Sequence, residues 1–322
     1  MSAELTRREL AALLGAGTLS RLAGAAAGLP SVLPGVVGLG RAEAELSQSL
    51  GESAARQAVE EALTAATGAS SGEAAAALLF KPSDTVGIKV NCLAGARMSP
   101  RIELVEAFVD LVAASGVGRR RIVVFERSSR ELARAGFTVR RQGPPYVCVG
   151  TDNEYDDRPS TSGSIGSCYA RLVSTTCTAL VSFGVVKDHD LAGVSAGMKN
   201  WYGVIHNPNK YHDSGCDPYV ADVVRHPFIK DKLRLTVLDG VVAQCHGGPA
   251  LRVDATFELG VVAASTDPVA ADLWALRVID EERARRGLPS LEEAGRPPRW
   301  LATAANYGLG LDDPEKLKLV SA

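Results

Sequence analysis

The sequence predicts an α/β protein with a mostly parallel sheet, flanking helices, a Rossmann-like plan and a turn-rich excursion. Three observations carry this. Apolar strand-like runs alternate with amphipathic helix patterns along the chain. One stretch, residues 85–125, reads strand, helix, strand, which implies parallel pairing and a right-handed crossover. The composition is that of a globular chain: 322 residues, 46% apolar and 22% charged, which excludes disordered and collagen-like structure.

The first segment reads as an address. Thr6-Arg7-Arg8-Glu9-Leu10 matches the twin-arginine export pattern, a weakly apolar stretch follows from Ala11 to Gly40, and Arg41-Ala42-Glu43-Ala44 offers an Ala-x-Ala cleavage pattern. Residues 1–44 are therefore expected to be a signal cut near Ala44, with the twin-arginine translocase as partner and a periplasmic or extracellular destination. Arg21, Pro30 and Pro34 interrupt the stretch, so no permanent membrane span is expected. Residues 45–322 then form one α/β domain.

Within it, Ala44 to about Ser70 carries helical spacing and stops at Ala69-Ser70-Ser71-Gly72. Thr85–Val90 is a buried-strand pattern. Arg101–Ala114 is an amphipathic helix, with Leu104, Ala107, Phe108 and Leu111 on one face and Gly116 as its stop. Arg121–Phe125 is the next strand. Residues 136–167 are turn-rich and polar, with Pro144-Pro145 and an acidic run from Asp152 to Asp157, and are expected to be an excursion or lid outside the core. Strand patterns return at Thr178–Val186, Leu233–Leu238 and Leu259–Ala264. Helices are expected over Ala192–Tyr202, Pro218–Val224, Pro268–Arg286 with Asp267 as N-cap, and near Pro298–Asn306.

The charge balance is 35 Lys+Arg against 37 Asp+Glu, which argues against a large nucleic-acid footprint. Six cysteines occur with no Cys-x-x-Cys, so zinc ribbons and ferredoxin-type iron–sulfur clusters are absent in their usual spacing. An exported chain permits disulfides, but burial as small apolar residues fits the cysteines equally. Cys216 and Cys245, which lie close in sequence to histidines, admit a metal role.

All five histidines fall between His189 and His246. The densest stretch, Lys187 to Asp217, places Lys187, Asp188, His189 and Asp190 directly after an apolar strand, then a Gly/Ser/Ala-rich segment with Gly193, Ser195 and Gly197, then Lys199 and Asn200. Small residues at a helix start let backbone N–H groups approach an anion. His189 flanked by two aspartates is expected to have a raised pKa suited to acid/base work. A crowded Lys199 is expected to be depressed and nucleophilic, or to accept a covalent group. His206, His212, Asp213 and Asp217 offer imidazole and carboxylate ligands for Zn, Ni or Fe. His246, after a strand end, is within reach of the same rim, whereas His226-Pro227 reads as a structural helix end.

The pattern Lys187-x-His189-x-x-Ala192-Gly193-Val194-Ser195, followed by Lys199-Asn200 and Gly203, resembles the signature of the domain-of-unknown-function-362 family. The resemblance extends to Val86–Asn91, to Leu238-Asp239-Gly240 with Gly247-Gly248-Pro249, and to Ser265–Asp272. The cluster module that many members carry is missing here. More distantly, His189-x-x-Ala192-Gly193-x-Ser195-x-Gly197-x-Lys199 is similar to the nickel-pincer lactate racemase. That likeness implies His189 as acid/base, Lys199 as the attachment point of a nickel-pincer-like cofactor, His212 as metal ligand and Arg97 as partner of a substrate carboxylate. The racemase's second catalytic histidine has no counterpart: Phe125-Glu126-Arg127 stands there, and Glu126 is the group available to replace it.

The expectation is an exported enzyme, isomerase/racemase-like or an oxidoreductase, using a transition metal (Ni, Fe or Zn) or a covalently held cofactor for acid/base or redox chemistry on a small polar or carboxylated substrate. His189, Lys199, Asp188 and Lys187 would be catalytic, and Arg97, Lys89, Asn91 and Asn200 would bind substrate. Gly193, Ser195, Gly197 and Lys199 would hold the cofactor, and His212, His206 and Asp213 the metal. A cofactor-free Lys/His enzyme and a non-catalytic metal or cofactor carrier remain the alternatives.

Overall fold

The computed structural model describes residues 33–46 and 48–321. One nine-stranded sheet runs through the domain in the order β11-β1-β10-β9-β7-β2-β3-β4, with β8 paired to β7. The strands are β1 (Val36–Arg41), β2 (Val86–Val90), β3 (Ile122–Glu126), β4 (Val147–Gly150), β7 (Ala179–His189), β8 (Gly193–Ser195), β9 (Leu233–Gln244), β10 (Thr256–Ser265) and β11 (Lys318–Ser321). Pairing is parallel across β9-β7-β2-β3-β4 and between β1 and β11. It is antiparallel where β10 meets β9 and β1, and where β8 meets β7. A separate hairpin joins β5 (Ser160–Ser162) to β6 (Ile165–Ser167).

Helices cover both faces, as a parallel sheet requires. Strand residues alternate between two cores: Ile122 and Val124 of β3 face one, Val123 and Phe125 the other. The first core is closed by α1 (Glu52–Thr67), α2 (Gly72–Leu79) and α3 (Ile102–Ala114). The second is closed by α5 (Tyr219–Arg225), α6 (Pro227–Lys230), α7 (Pro268–Arg285) and α8 (Trp300–Asn306). The short α4 (Ser129–Arg134) follows β3. Among the described residues no helix is long and apolar enough to cross a membrane.

Three expectations need correction. The first is the placing of residues 36–41 outside the fold. Val36–Arg41, expected to belong to a leader, is a strand held between β10 and β11. Helix α1 lies against it through a stripe of buried alanines, and a Cβ at Gly38 or Gly40 would overlap the backbone of Ala62 or Ala58. The sequence Val-Val-Gly-Leu-Gly thus reads as a tail of the apolar stretch but serves as a strand under a helix. Arg7-Arg8 and most of the stretch lie outside the described residues. A chain starting at Glu45 is expected to unfold more than about 5 °C below one starting at Leu33. The mature amino terminus of an exported form is expected upstream of Val36. Thermal melts and terminal mass analysis check both, and equal melting of the two chains would refute the first.

The second correction concerns residues 136–167. They are not wholly outside the core: β4 extends the main sheet beside β3, with Val147, Cys148 and Val149 buried. A strand this short has too few residues to display a period. The β5–β6 hairpin is also anchored, since Ser164 N–H donates to Asp222 Oδ2 at 2.7 Å and Ser162 Oγ donates to the Asp222 carbonyl at 2.6 Å. The third correction, the helix expected over Ala192–Tyr202, belongs to the site.

Candidate functional site

The chain leaves β2 toward β3 and β4 on one side, then returns to β7 and β9 on the other. The carboxyl ends of β2 and β7 therefore flank a topological switch point, where open α/β sheets place their ligands. A cavity of about 430 Å³ lies there. Its walls include Asn91 after β2, Glu126 and Arg127 at the end of β3, and Lys187 and His189 at the end of β7.

Strand β7 continues to His189, three residues beyond the expected end, and its alternation sorts the charged cluster. Lys187 and His189 face the cavity. Asp188 faces the other way: its Oδ1 accepts from Gly248 N–H at 2.9 Å and its Oδ2 from Arg296 Nη1 at 3.2 Å. Asp188 thus anchors the Gly247-Gly248-Pro249 loop and is not in the cavity as a catalytic group.

After His189 the chain turns back as β8, pairing Ser195 with Lys187 and Gly193 with His189. Gly193 has φ of 75°, and a Cβ there would overlap the Arg296 carbonyl. The N–H groups of Gly197 and Met198 donate to the buried Asp272 carboxylate of α7 at 2.7 and 2.9 Å. A 3-10 turn then spans Lys199–Val204. Small residues at three- and four-residue spacing imitate a helix, but hairpin pairing and Asp272 claim this backbone. No helix start faces a ligand. Gly193 and Gly197 are packing positions, while Ser195 lines the cavity. Burial raises the Asp272 pKa to about 7 against the two N–H donors.

One wall gathers Lys199, His189, His212 and Tyr202. Lys199 Nζ lies 3.1 Å from His212 Nε2 and 3.7 Å from the centre of the Tyr202 ring. His212 Nδ1 lies 3.1 Å from the Pro208 carbonyl and must donate to it, which leaves Nε2 as the acceptor toward Lys199. The His189 and His212 rings stack with centroids 5.8 Å apart. His189 Nδ1 accepts the N–H groups of Leu191 and Ala192 at 3.1 and 3.2 Å, so the neutral ring carries its proton on Nε2.

The expected rise of the His189 pKa is overturned. Burial pushes it down to about 2, and Lys199, His212 and Lys187 add to the effect. Of the two aspartates invoked, Asp188 points away. Asp190 is 61% exposed on its side chain and, although 3.1 Å from Nδ1, shares the Leu191 N–H with the ring. Burial likewise brings Lys199 to about 8. Lys187 is also brought to about 8 by burial. Its Nζ is fully buried without a hydrogen-bond partner.

The facing wall is acidic. Glu126 pairs with Lys89 at 2.8 Å, and burial raises its pKa. Glu126 also hydrogen-bonds Glu131. Burial opposes ionisation of Glu131, yet hydrogen bonds from Arg127, at 2.6 Å, and from Glu126 hold its pKa below the ordinary range. Glu131, Arg127 and Tyr202 went unrecognised in the sequence. The signal for Glu131 was Ser128-Ser129-Arg130-Glu131, a capping-box pattern whose glutamate here turns to Arg127 instead.

Lys89 does not bind substrate. It is 1% exposed and its Nζ is taken by the Val90 carbonyl, Glu126 and Asn200. Asn200 reaches the cavity wall, but its amide is committed to Lys89 and Ser182. Asn91 lines the cavity as expected. Arg97 stands exposed on the 3-10 turn Ala96–Met98, off the cavity wall. The expected metal set does not assemble either. His206 packs edge-on to Tyr155 in a neighbouring groove, and Asp213 is exposed, leaving His212 alone beside Lys199. Among the described residues no group of three or more His, Cys, Asp or Glu converges as a metal site. The six cysteines are free thiols. His226 caps α6 through Nδ1, a structural role.

Fold and site together define an open, mostly parallel α/β protein with a lysine–histidine cavity at its switch point. The chain belongs to the family described as Domain of unknown function (DUF362), whose model matches residues 86–277, a span that holds every residue lining the cavity. No curated protein matches the chain. Among solved structures it is similar to a protein from Thermotoga maritima, at 9% identity and a TM-score of 0.35 over 62% of this chain; it spans about half (53%) of that chain.

Proposed function

We propose that the protein is an exported enzyme performing acid/base chemistry on a small carboxylated substrate in the strand-end cavity. One observation carries the reading: two buried lysines, Lys187 and Lys199, share the cavity with a neutral His189, and neither ammonium is hydrogen-bonded to a carboxylate. A bound carboxylate supplies the missing counter-charge. His189, its proton on Nε2, donates to the substrate, and the Glu126–Glu131 pair is the proton acceptor on the facing wall. The export part of the reading is supported by Arg7-Arg8 and the apolar stretch after it.

The test is proton exchange. Purified protein is incubated in D2O with a panel of 2-hydroxy, 2-amino and 2-oxo acids, and loss of the proton signal next to the carboxylate or carbonyl is followed by NMR. Exchange is expected with at least one acid, unchanged by EDTA and lowered at least ~100-fold by His189→Ala or Lys199→Ala. No exchange across the panel, or exchange indifferent to His189→Ala, refutes the reading.

Of the expected metal donors, His212 is the one beside Lys199. A covalently held organic cofactor on Lys199 is the second reading. It is supported by the racemase-like spacing of His189 to Lys199 and by an amine open to the cavity. Intact mass of protein purified from its native host tests it, and an unmodified Lys199 refutes it.

A further inference from the structure

We infer that Lys199 is the nucleophile of this cavity and that the substrates are 2-oxo carboxylates, which it holds as an imine on Nζ. The inference rests on the acid/base reading above and names its substrate class.

The geometry is that of an activated nucleophile: an amine, a base within hydrogen-bond reach, and a third group that orients the base. Lys199 Nζ is 3.1 Å from His212 Nε2, and the Pro208 carbonyl holds His212 from the far side at 3.1 Å, fixing the tautomer that can accept a proton from the amine. The amine is nearly buried yet lines the cavity, and among the described residues its hydrogen-bond contact is His212. Burial keeps a usable fraction of it neutral near pH 8.

Lys187 supplies the second, independent observation. Its Nζ is wholly buried, has no hydrogen-bond partner among the described residues and belongs to the same cavity wall. A lysine in that setting lacks an anion. The carboxylate of a 2-oxo acid provides one, bringing its adjacent carbonyl carbon to the Lys199 side.

The step balances as follows. The nitrogen lone pair forms the C–N bond, and the carbonyl π pair moves to oxygen. His212 takes one proton from nitrogen and returns it to that oxygen, giving a carbinolamine. Loss of the second nitrogen proton and of the hydroxyl group yields the imine and one water. The imine draws electrons from the neighbouring C–H, whose proton passes to the Glu126–Glu131 pair, and His189 returns one from Nε2.

The experiment is reductive trapping. Protein is incubated with pyruvate and sodium cyanoborohydride, digested and mapped by mass spectrometry. The expected result is one reduced pyruvate adduct, saturable in pyruvate and located on Lys199. His212→Ala should slow its formation about 100-fold. Lys187→Met should raise the pyruvate concentration for half-saturation more than about 10-fold while Lys199 still labels fully. An adduct absent from Lys199, or spread evenly over exposed lysines of the unaltered protein, overturns the inference without need of any variant. Proton exchange without an adduct leaves the acid/base reading standing and removes the imine. An adduct without exchange does the reverse.

Discussion

Lys187→Met is expected to make the protein more stable and less active. Lys187 is a fully buried ammonium with no hydrogen-bond partner, and burial lowers its pKa from 10.5 to about 8. A lysine whose folded pKa is lowered binds its proton more weakly in the native chain than in the unfolded one. Its cost is fully present below pH 8 and fades as pH rises from 8 toward 10.5. Methionine fills a similar volume without charge, so at pH 7 the variant should gain about 1–3 kcal/mol in denaturant unfolding. The gain should shrink above pH 8. The same change removes the counter-charge for a substrate carboxylate, and kcat/KM is expected to fall at least about 10-fold, mostly through KM. A variant that is destabilised at pH 7 would show that Lys187 has a structural partner and would remove the stability half of this expectation. Such opposition between stability and activity is what a site residue produces and what a packing residue does not.

Asp267→Ala is expected to be the most destabilising single change outside the cavity, by about 3–5 kcal/mol. Asp267 caps α7: its Oδ1 accepts the N–H groups of Val269 and Ala270 at 3.0 and 2.9 Å. Its Oδ2 accepts two further N–H groups, from Gly35 at 3.0 Å and Leu311 at 2.9 Å. One carboxylate therefore joins the entry to β1, the start of α7 and the segment leading to β11. Alanine strands four donors, two of them a helix cap and two at tertiary contacts. Asp267→Asn keeps one acceptor oxygen but turns an NH2 group toward the other pair, so about half the loss is expected. Urea unfolding midpoints check both. Equal loss in the two variants, or a loss under about 1 kcal/mol in Asp267→Ala, would contradict this account.

The strands that build the parallel part of the sheet were legible because they are continuous apolar runs. The helices Ile102–Ala114 and Pro268–Arg285 were legible because their faces or caps follow rules of local chemistry. The site was legible as a neighbourhood and not as an arrangement. Extending β7 by three residues, to His189, decides which charges share a wall: it places Lys187 and His189 together and sends Asp188 to the far side. No local signal marks that extension, because a strand ending in charged residues looks the same as a loop. His206, Asp213 and His212 lie close in sequence, but only the turns between them determine which faces Lys199. Glu131 was hidden for the opposite reason, since its spacing from Ser128 satisfies an ordinary cap. Residues 36–41 were misread because an apolar strand containing glycines and the end of an export stretch have the same composition. Only pairing partners more than two hundred residues away distinguish them.

The position of β1 between β10 and β11 has a consequence for how the molecule is made. Gly38 pairs with Ala264 on one side and Val320 on the other, so the sheet at this corner is assembled from segments more than two hundred residues apart. During translation β1 must wait, one edge open, until residues 318–321 have left the ribosome, and contacts that distant in sequence form slowly. In sequence, the stretch that follows Arg7-Arg8 runs directly into this strand. Until β11 arrives, one edge of β1 is an unpaired strand beside the proposed address, and pairing with residues 318–321 covers it.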